Sequence, residues 1–193
     1  MSSESIDSPS VAAPIAEPTG EAGIVRDVQV TVGALPGAKP VARTLSHFGE
    51  HSLGWLAVGA VGWAFARCRG DDDAARKWIE AGVGAFGAHA ASVVIKRIVR
   101  RPRPDHPAIE IGVATPSKLS FPSSHATSTT AAAILIGRAA GLPPALLPAA
   151  LVPPMLVSRL VLGVHYPTDV LGGAAIGAAS AAAVIAGDRL IAE

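Results

Sequence analysis

The feature that most constrains this sequence is a series of long apolar stretches separated by short polar connections. A helix needs about 20 mostly apolar residues to cross a bilayer, and fewer where the bilayer is thin or the helix ends snorkel. Half of the residues are hydrophobic and only 16% are charged, which is unusual for a soluble domain. We therefore expect an all-α, polytopic membrane helix bundle of about five transmembrane helices, over residues 52–66, 78–95, 126–140, 144–162 and 170–185.

The N-terminal region differs from the rest of the chain. Residues 1–23 are rich in Ser, Pro, Ala and Glu and lack the basic start and apolar core of a signal peptide. We expect a disordered tail there and one membrane-embedded domain over residues 24–193. After the tail, two weakly amphipathic pieces separated by Pro36 and Gly37 are typical of helices that lie at the membrane interface.

Small residues and prolines indicate how the apolar stretches pack. Glycines such as Gly173 and Gly177 let transmembrane helices approach closely, which predicts a compact bundle. The same Gly- and Ala-rich faces would allow a homo-oligomer. Pro153 and Pro154 lie within the fourth stretch and predict a kink or a broken helix there.

Overall charge and cysteine content exclude several functions. A formal net charge of +1 argues against a nucleic-acid partner, because such proteins usually carry a clear basic excess. Cys68 is the only cysteine, which excludes an intrachain disulfide and a cysteine metal site. The positive charge is instead concentrated locally.

The local charge gathers at one face of the membrane. Lys96 ends the second stretch, His125 opens the third, His165 follows the fourth and Asp169 opens the fifth. If successive stretches cross the membrane in alternating directions, these four positions lie at one face. We therefore expect these side chains to meet at the same face. Cys68 is expected at the opposite face.

The first polar segment, KRIVRRPRP, places Lys96 and Arg103 beside the second stretch. A phosphoryl group in transfer spreads negative charge over its oxygens, and lysine and arginine are suited to bind it. Basic residues beside a span also serve simply to anchor it at the membrane face, so this segment alone leaves both functions open.

The second segment, PSSH, precedes the third stretch. Ser123 and Ser124 would lie at a helix start, where unpaired N–H groups and the helix dipole bind anions. An ordinary serine N-cap explains the same serines. His125 favours the functional interpretation, because a helix cap does not need an imidazole.

In the third segment, Ser158 and Arg159 are followed by His165 and Asp169. A carboxylate that accepts Nδ1–H from an imidazole leaves Nε2 free as a nucleophile or base. Pro167 lies between the histidine and the aspartate, so we expect their contact to be made across a turn.

Together the three segments resemble the signature of the phosphatidic acid phosphatase type 2 superfamily, K-x6-R-P, P-S-G-H and S-R-x5-H-x3-D. The resemblance implies a membrane phosphatase that needs no metal or other cofactor. It implies that His165 is a nucleophile forming a phosphohistidine, that Asp169 orients it, and that His125 protonates the departing oxygen. By the same resemblance the phosphate oxygens are held by Lys96, Arg103, Ser123, Ser124 and Arg159.

One residue departs from that signature, because Ser124 stands where the superfamily usually has glycine. Its side chain takes space beside the expected phosphate. Arg100 and Arg101 are candidates for binding a second charge on the substrate.

Three more residues are secondary candidates. Glu50 and His51 lie at the same face and could contact a sugar or serve an interfacial structural role. His89 lies within the second stretch, one heptad before Lys96, and suits an interhelical hydrogen bond, although ionisable groups inside a bilayer are often functional.

A narrower resemblance concerns the runs SHFGEHSLGWLA, AHAASVVIKRIVRRPRP and TPSKLSFPSSHATSTTAAA. They are similar to an actinobacterial branch of the superfamily proposed to dephosphorylate decaprenylphosphoryl-5-phosphoribose, giving the decaprenylphosphoryl ribose used for cell-wall arabinan. This resemblance implies a lipid-linked phosphate substrate. The alternative substrates are polyprenyl pyrophosphate and phosphatidylglycerophosphate. The alternative function is that of a non-catalytic lipid-binding protein on the same fold.

The polar N-terminus and the number of stretches together predict the orientation. An N-terminus without an export signal stays in the cytoplasm most simply, and alternating crossings then put the site on the cytoplasmic side of the plasma membrane. Basic residues are almost evenly divided between the two faces, so the positive-inside rule does not decide the orientation.

Overall fold

The computed structural model describes residues 16–192, and these form helices joined by short turns and one long loop. No strand occurs within that range, which confirms the predicted all-α class. The helices are α1 (Gly20–Thr31), α2 (Ala38–Phe48), a 3-10 turn (Glu50–Ser52), α3 (Leu53–Cys68), α4 (Asp72–Val99), α5 (Ser124–Ala139), α6 (Leu146–Val161) and α7 (Pro167–Ala192).

Each predicted apolar stretch lies largely within one helix, from α3 to α7. Two helices are long and apolar enough to cross a membrane, Asp72–Val99 and Pro167–Leu190. The helices α3, α5 and α6 have 16 residues each and are therefore about 24 Å long. That is less than the ~30 Å hydrocarbon core of a typical bilayer.

Helix α5 lies at the centre of the bundle. It packs against α4, α6 and α7, and most of its residues are buried, including Thr127, Ser128 and Thr129. Its Ala132, Leu135 and Ile136 join a core cluster with residues of α3, α4 and α7. A helix surrounded by other helices does not contact lipid, which explains why a polar sequence is tolerated here.

Glycines set the close contacts between helices, as expected for a compact bundle. A Cβ atom on Gly177 would lie 2.3 Å from the Thr127 carbonyl oxygen, and one on Gly173 would lie 2.7 Å from the Ser123 carbonyl oxygen. This face of α7 is therefore occupied by α5 of the same chain. The expected homo-oligomer through Gly- and Ala-rich helix faces stays a prediction.

The proline-rich helix α6 corrects one expectation. It is continuous from Leu146 to Val161 with Pro153 and Pro154 inside it, so the broken-helix alternative is wrong and the kink stays a prediction. Packing against α2 and α5 holds the helix together despite the backbone hydrogen bonds that proline removes.

The N-terminal helices pack on the bundle. Helix α1 begins at Gly20, inside the region predicted to be a tail, while residues 1–15 of that prediction lie outside the described range. Val25 of α1 is fully buried, and Ala42 of α2 joins a cluster with Val161, Leu162 and Val164. The amphipathic pieces therefore form helices whose apolar sides contact the end of α6.

Candidate active site

A cavity of about 580 Å³ opens at the end of the bundle where the predicted site residues gather. Contributions come from α2, the 3-10 turn, α4, α5, α6 and the loop between α4 and α5. Nine of the predicted residues line it: Lys96, Arg103, Ser124, His125, Arg159, His165, Glu50, His51 and His89.

The Lys96 side chain is buried against this cavity, with a relative exposure of 7%. Its ammonium group donates to the carbonyl oxygens of Ser120, at 2.9 Å, and of Pro122. These carbonyls belong to the loop that leads into α5. Lys96 therefore fixes the loop position while its charge remains beside the cavity.

Two arginines add positive charge to the same wall. Arg159 is 2% exposed, and its Nε and Nη1 atoms have no hydrogen-bond partner among residues 16–192. Arg103 donates from Nε to the Ser117 carbonyl at 2.8 Å and from Nη1 to the Val164 carbonyl at 2.6 Å. Burial lowers the pKa of Arg103 to about 10, so its guanidinium remains charged at neutral pH.

None of these cations is paired with a carboxylate. Within the described part of the chain, no Asp or Glu oxygen lies within 4.0 Å of a charged nitrogen of Lys96, Arg103 or Arg159. Burying unpaired charge is costly. The cavity is therefore suited to a bound anion that supplies the missing negative charge.

His165 lies in the turn between α6 and α7, with its ring beside Arg103. Its Nε2 atom is 3.2 Å from Arg103 Nη1. A guanidinium can only donate, so Nε2 is the acceptor and the neutral ring carries its proton on Nδ1. Burial, together with the charges of Arg103 and Arg159, keeps the pKa of His165 well below its ordinary value. The ring is therefore neutral and its Nε2 lone pair faces the cations.

Asp169 lies behind His165 and is fully buried. Its Oδ2 atom is 3.7 Å from His165 Nδ1 and accepts the Tyr166 N–H at 2.8 Å. Its Oδ1 atom accepts from Arg101 Nη1 at 2.9 Å. A shift of about 1 Å would bring His165 Nδ1–H within hydrogen-bond distance of this carboxylate. The two side chains therefore face each other across the turn that contains Pro167, as expected, but they are not hydrogen-bonded.

His125 occupies the other side of the cavity, in the first turn of α5. Its Nε2 atom is 2.9 Å from the Ser46 carbonyl oxygen of α2, so Nε2 carries a hydrogen and Nδ1 is the remaining ring nitrogen. A Cβ atom on Gly49 would lie 2.8 Å from His125 Cδ2. Glycine at this position lets α2 approach the ring closely enough to hold it.

The two serines of the second segment have different surroundings. Ser123 is the N-cap of α5: its Oγ accepts from Ala126 N–H, and its own N–H donates to the Asp169 carbonyl at 2.9 Å. Ser123 does not line the cavity, so its predicted contact with phosphate is not supported. Ser124 does line it, and its Oγ is hydrogen-bonded to Ser92 Oγ of α4 at 2.7 Å.

The structure also corrects the expectation for the second basic pair. Arg100 ends α4 in a left-handed conformation and is exposed, and Arg101 turns away toward Asp169. Neither lines the cavity. Arg97 lines the cavity instead. The sequence did not single out Arg97, because it is one of several basic residues in the same run. Residues 113–117 of the loop were missed as well, since nothing in their composition marks them.

The metal-binding capacity of the site can be judged from its donors. Among residues 16–192 no group of three or more His, Cys, Asp or Glu side chains is placed to hold a metal ion. Apart from Glu50, the charged and hydrogen-bonding side chains of the cavity wall are those of lysine, arginine, serine, threonine and histidine, which suits an oxyanion such as phosphate.

A helical bundle with buried cations and two histidines around one cavity, at the end of apolar helices, is what a membrane phosphatase requires. The chain belongs to the PAP2 superfamily, whose sequence profile matches residues 77–189.

Curated relatives agree with this assignment. The chain is 57% identical over 168 residues to decaprenylphosphoryl-5-phosphoribose phosphatase of Mycobacterium tuberculosis (strain ATCC 25618 / H37Rv), covering 86% of this chain and 90% of the relative. It is 56% identical over 156 residues to the protein of the same name from Mycolicibacterium smegmatis, covering 81% and 82%.

Solved structures share the fold. A transmembrane PAP2-type phosphatidylglycerolphosphate phosphatase from Bacillus subtilis superposes with a TM-score of 0.69 at 21% identity, covering 89% of this chain and 85% of that one. A bacterial vanadium-dependent iodoperoxidase superposes with a TM-score of 0.65 at 17% identity, covering 90% of this chain and 52% of that one. At these identities the likeness concerns the fold alone.

Proposed function

We propose that this protein removes the 5-phosphate of decaprenylphosphoryl-5-phosphoribose and releases decaprenylphosphoryl ribose for cell-wall arabinan synthesis. The observation that carries the proposal is the set of buried cations without carboxylate partners beside His165 and His125 in one cavity. The relatives named for this reaction are more than half identical to the chain over most of its length.

In the bound complex, the phosphate takes the place of the missing counter-charge. Lys96, Arg103 and Arg159 neutralise its oxygens, and the N–H groups in the first turn of α5, at Ser124 and His125, face the same recess without intrahelical acceptors. Arg103 then donates to a phosphate oxygen instead of to His165. This exchange frees the Nε2 lone pair for attack.

The first chemical step forms a phosphohistidine. His165 Nε2 attacks phosphorus, and the bond from phosphorus to the ribose 5-oxygen breaks. His125 enters this step protonated on both ring nitrogens and gives the Nδ1 proton to that oxygen, while Nε2–H stays bonded to the Ser46 carbonyl. Asp169 accepts Nδ1–H of His165 and stabilises the positive charge that the ring acquires.

The second step releases phosphate. His125, now neutral, removes a proton from water, and the resulting hydroxide attacks the phosphohistidine. The bond from phosphorus to Nε2 breaks, inorganic phosphate leaves, and His125 is protonated again for the next cycle. The cations around the phosphoryl group stabilise both transition states because they are fixed before the reaction begins.

The rest of the cavity supports a substrate larger than phosphate. Glu50, His51 and His89 form a polar wall beyond the cations, and His89 Nδ1 is buried without a partner in the described chain. These groups suit the hydroxyl groups of a sugar. Arg97, at the rim, is placed to meet the phosphodiester that joins the sugar to the lipid, the role that Arg100 and Arg101 do not fill.

The membrane arrangement is part of the same proposal. We infer one domain that crosses the plasma membrane five times through α3 to α7, with α1 and α2 at the interface and the site on the cytoplasmic side. The short helices then require a thinner bilayer around the protein. Cys68 is exposed and should react with a membrane-impermeant maleimide from outside intact cells.

The decisive experiment compares substrates on the purified protein in detergent. Phosphate release is measured from decaprenylphosphoryl-5-phosphoribose, decaprenyl pyrophosphate and phosphatidylglycerophosphate at equal surface concentration. We expect the highest kcat/KM for the phosphoribose lipid. A higher value for either of the other lipids would overturn the proposed substrate, and phosphate release undiminished in His165→Ala would overturn the enzymatic function.

A further inference from the structure

Helix α1 reaches the catalytic end of the molecule through Glu21. Its Oε1 atom accepts hydrogen bonds from Thr168 N–H, at 2.9 Å, and from Thr168 Oγ1, at 2.8 Å. Thr168 lies in the first turn of α7, where N–H groups have no intrahelical acceptor and a negative charge is favourable. Glu21 therefore caps α7 from another helix, across 147 residues of sequence.

The same carboxylate holds Arg101. Glu21 Oε2 accepts from Arg101 Nη2, while Arg101 Nη1 donates to Asp169 Oδ1 at 2.9 Å and to Thr168 Oγ1 at 2.6 Å. The Arg101 guanidinium also lies 4.3 Å from the centre of the Tyr166 ring. One arginine thus contacts Glu21, Thr168, Asp169 and the residue that follows His165.

This arrangement fixes the carboxylate that faces His165. Asp169 Oδ1 is held by Arg101, and Oδ2 is held by Tyr166 N–H and faces His165 Nδ1. With one oxygen clamped by a planar guanidinium, the carboxylate plane cannot rotate away from the imidazole. Arg101 also supplies the only cation within ion-pair distance of Asp169 among residues 16–192.

We propose that Glu21 and Arg101 are positioning residues that hold Asp169 toward His165 and so make turnover depend on the docking of α1. The proposal rests on the phosphatase mechanism above. Neither residue lines the cavity, so neither is placed to touch the substrate. The sequence interpretation of Arg101 as a ligand for a second substrate charge is replaced by this role.

The test measures turnover and phosphate binding separately. Arg101→Gln removes the clamp, and we expect kcat to fall about 10- to 100-fold, the range for a lost charge-assisted hydrogen bond. KM and the affinity for inorganic phosphate, measured by thermal shift, should stay within about twofold because the phosphate ligands are intact. Arg101→Lys keeps the charge but not the fork, and we expect it to recover part of kcat.

Glu21→Gln tests the role of α1, with Glu17→Gln as its matched control. Glu17 is also an acid near the start of α1, but it is exposed and pairs with Arg26, and it makes no hydrogen bond or ion pair with Arg101, Thr168 or Asp169 among residues 16–192. We expect Glu21→Gln to lower kcat about 3- to 30-fold and Glu17→Gln to leave it unchanged.

The double variant separates coupling from general damage. If Glu21 acts through Arg101, Glu21→Gln with Arg101→Gln should be no slower than Arg101→Gln alone. Independent, multiplying losses would overturn the proposal. So would an unchanged kcat in Arg101→Gln, or a loss of phosphate affinity equal to the loss of kcat. Absence of phosphate release from the unaltered protein would instead refute the proposed function.

Discussion

The two ends of the helical bundle treat buried charge in opposite ways. At the end far from the cavity, Arg138 bonds Glu80 at 2.6 Å and also contacts Asp188, while Arg76 contacts the same two acids. We call these four residues the distal charge cluster. At the cavity end, Lys96, Arg103 and Arg159 have no such acids within the described chain.

The difference separates a structural role from a binding role. In the distal charge cluster every cation has an anion supplied by the fold, so the charges link α4, α5 and α7 and need nothing else. At the cavity the fold places three cations together and, among residues 16–192, pairs none of them with a carboxylate. The stability lost by that arrangement is recovered only when a ligand binds, and the same shortage of negative charge stabilises a phosphoryl group in transfer.

The strongest test of this contrast is removal of the nucleophile. His165→Ala should lower kcat by roughly 10⁴-fold or more, because phosphohistidine formation is lost while the cations remain. Phosphate release from the lipid substrate measures the loss. His106→Ala is the control, since His106 lies outside the cavity and bonds only Ala108 N–H. An equal loss in both variants would contradict a specific role for His165.

Asp169→Asn should come next in size. The amide cannot serve as the anionic acceptor for His165 Nδ1–H, and we expect kcat to fall roughly 10³- to 10⁴-fold with the fold preserved. Circular dichroism and thermal unfolding in detergent would establish that the helices remain. Near-normal turnover would contradict the assigned role of this carboxylate.

A matched pair of arginine substitutions compares the two ends directly. Arg159→Met should lower kcat about 10²- to 10³-fold and leave the melting temperature equal or higher, because a buried unpaired charge is removed. Arg138→Met should instead cost about 1.5–3 kcal/mol of stability, since Glu80 and Asp188 lose one of their two cationic partners and keep Arg76, while active molecules keep their turnover. The reverse pattern would break the distinction between the ends.

Stability should also depend on pH through His165. Its pKa in the folded protein is far below that in the unfolded chain, which is near 6.5. Below pH 6.5 the unfolded chain therefore binds a proton that the folded protein does not, and stability falls as the pH falls, by up to about 1.4 kcal/mol per pH unit.

His165→Asn cannot bind that proton. Its melting temperature in detergent should decrease less than that of the unaltered protein between about pH 7 and about pH 5. Parallel curves would show that the ring is not held neutral by its surroundings.

The smallest effect is expected for Ser124→Gly. The Ser124 hydroxyl is bonded to Ser92 and so is directed toward α4, which leaves room for the phosphate. We expect kcat/KM to change by less than about threefold, at a stability cost of about 1 kcal/mol for the lost hydrogen bond and the added backbone freedom. A large gain in activity would show that the side chain does obstruct the substrate.

Much of the architecture could be predicted from periodicity and spacing. The apolar stretches correspond to helices α3 to α7. Because successive stretches were expected to cross in alternating directions, the order of the stretches alone predicted that Lys96, His125 and His165 lie at the same end of the bundle. The three sequence segments were informative because each one ends or begins a helix. Their meeting point required no knowledge of side-chain contacts.

What could not be predicted depends on contacts between distant parts of the chain. Arg101 differs little from Arg103 in sequence, yet Arg103 contacts His165 and Arg101 contacts Asp169 from behind. Ser123 matched the signature, but its N–H is used by the Asp169 carbonyl. Glu21 lies in a region whose composition indicated a tail, and only tertiary structure shows that it caps α7.

The Ser92 to Ser124 hydrogen bond shows how far the polar contacts of the cavity end extend along α4. Ser92 lies 12 residues after Glu80 and seven before Val99 in this helix, distances of about 18 Å and about 10 Å. This polar contact and the distal charge cluster are thus much closer together than the ~30 Å of a typical hydrocarbon slab. In the membrane arrangement proposed above, either the lipid leaflets are compressed around the protein, or the substrate headgroup descends below the plane of its neighbours to be cleaved.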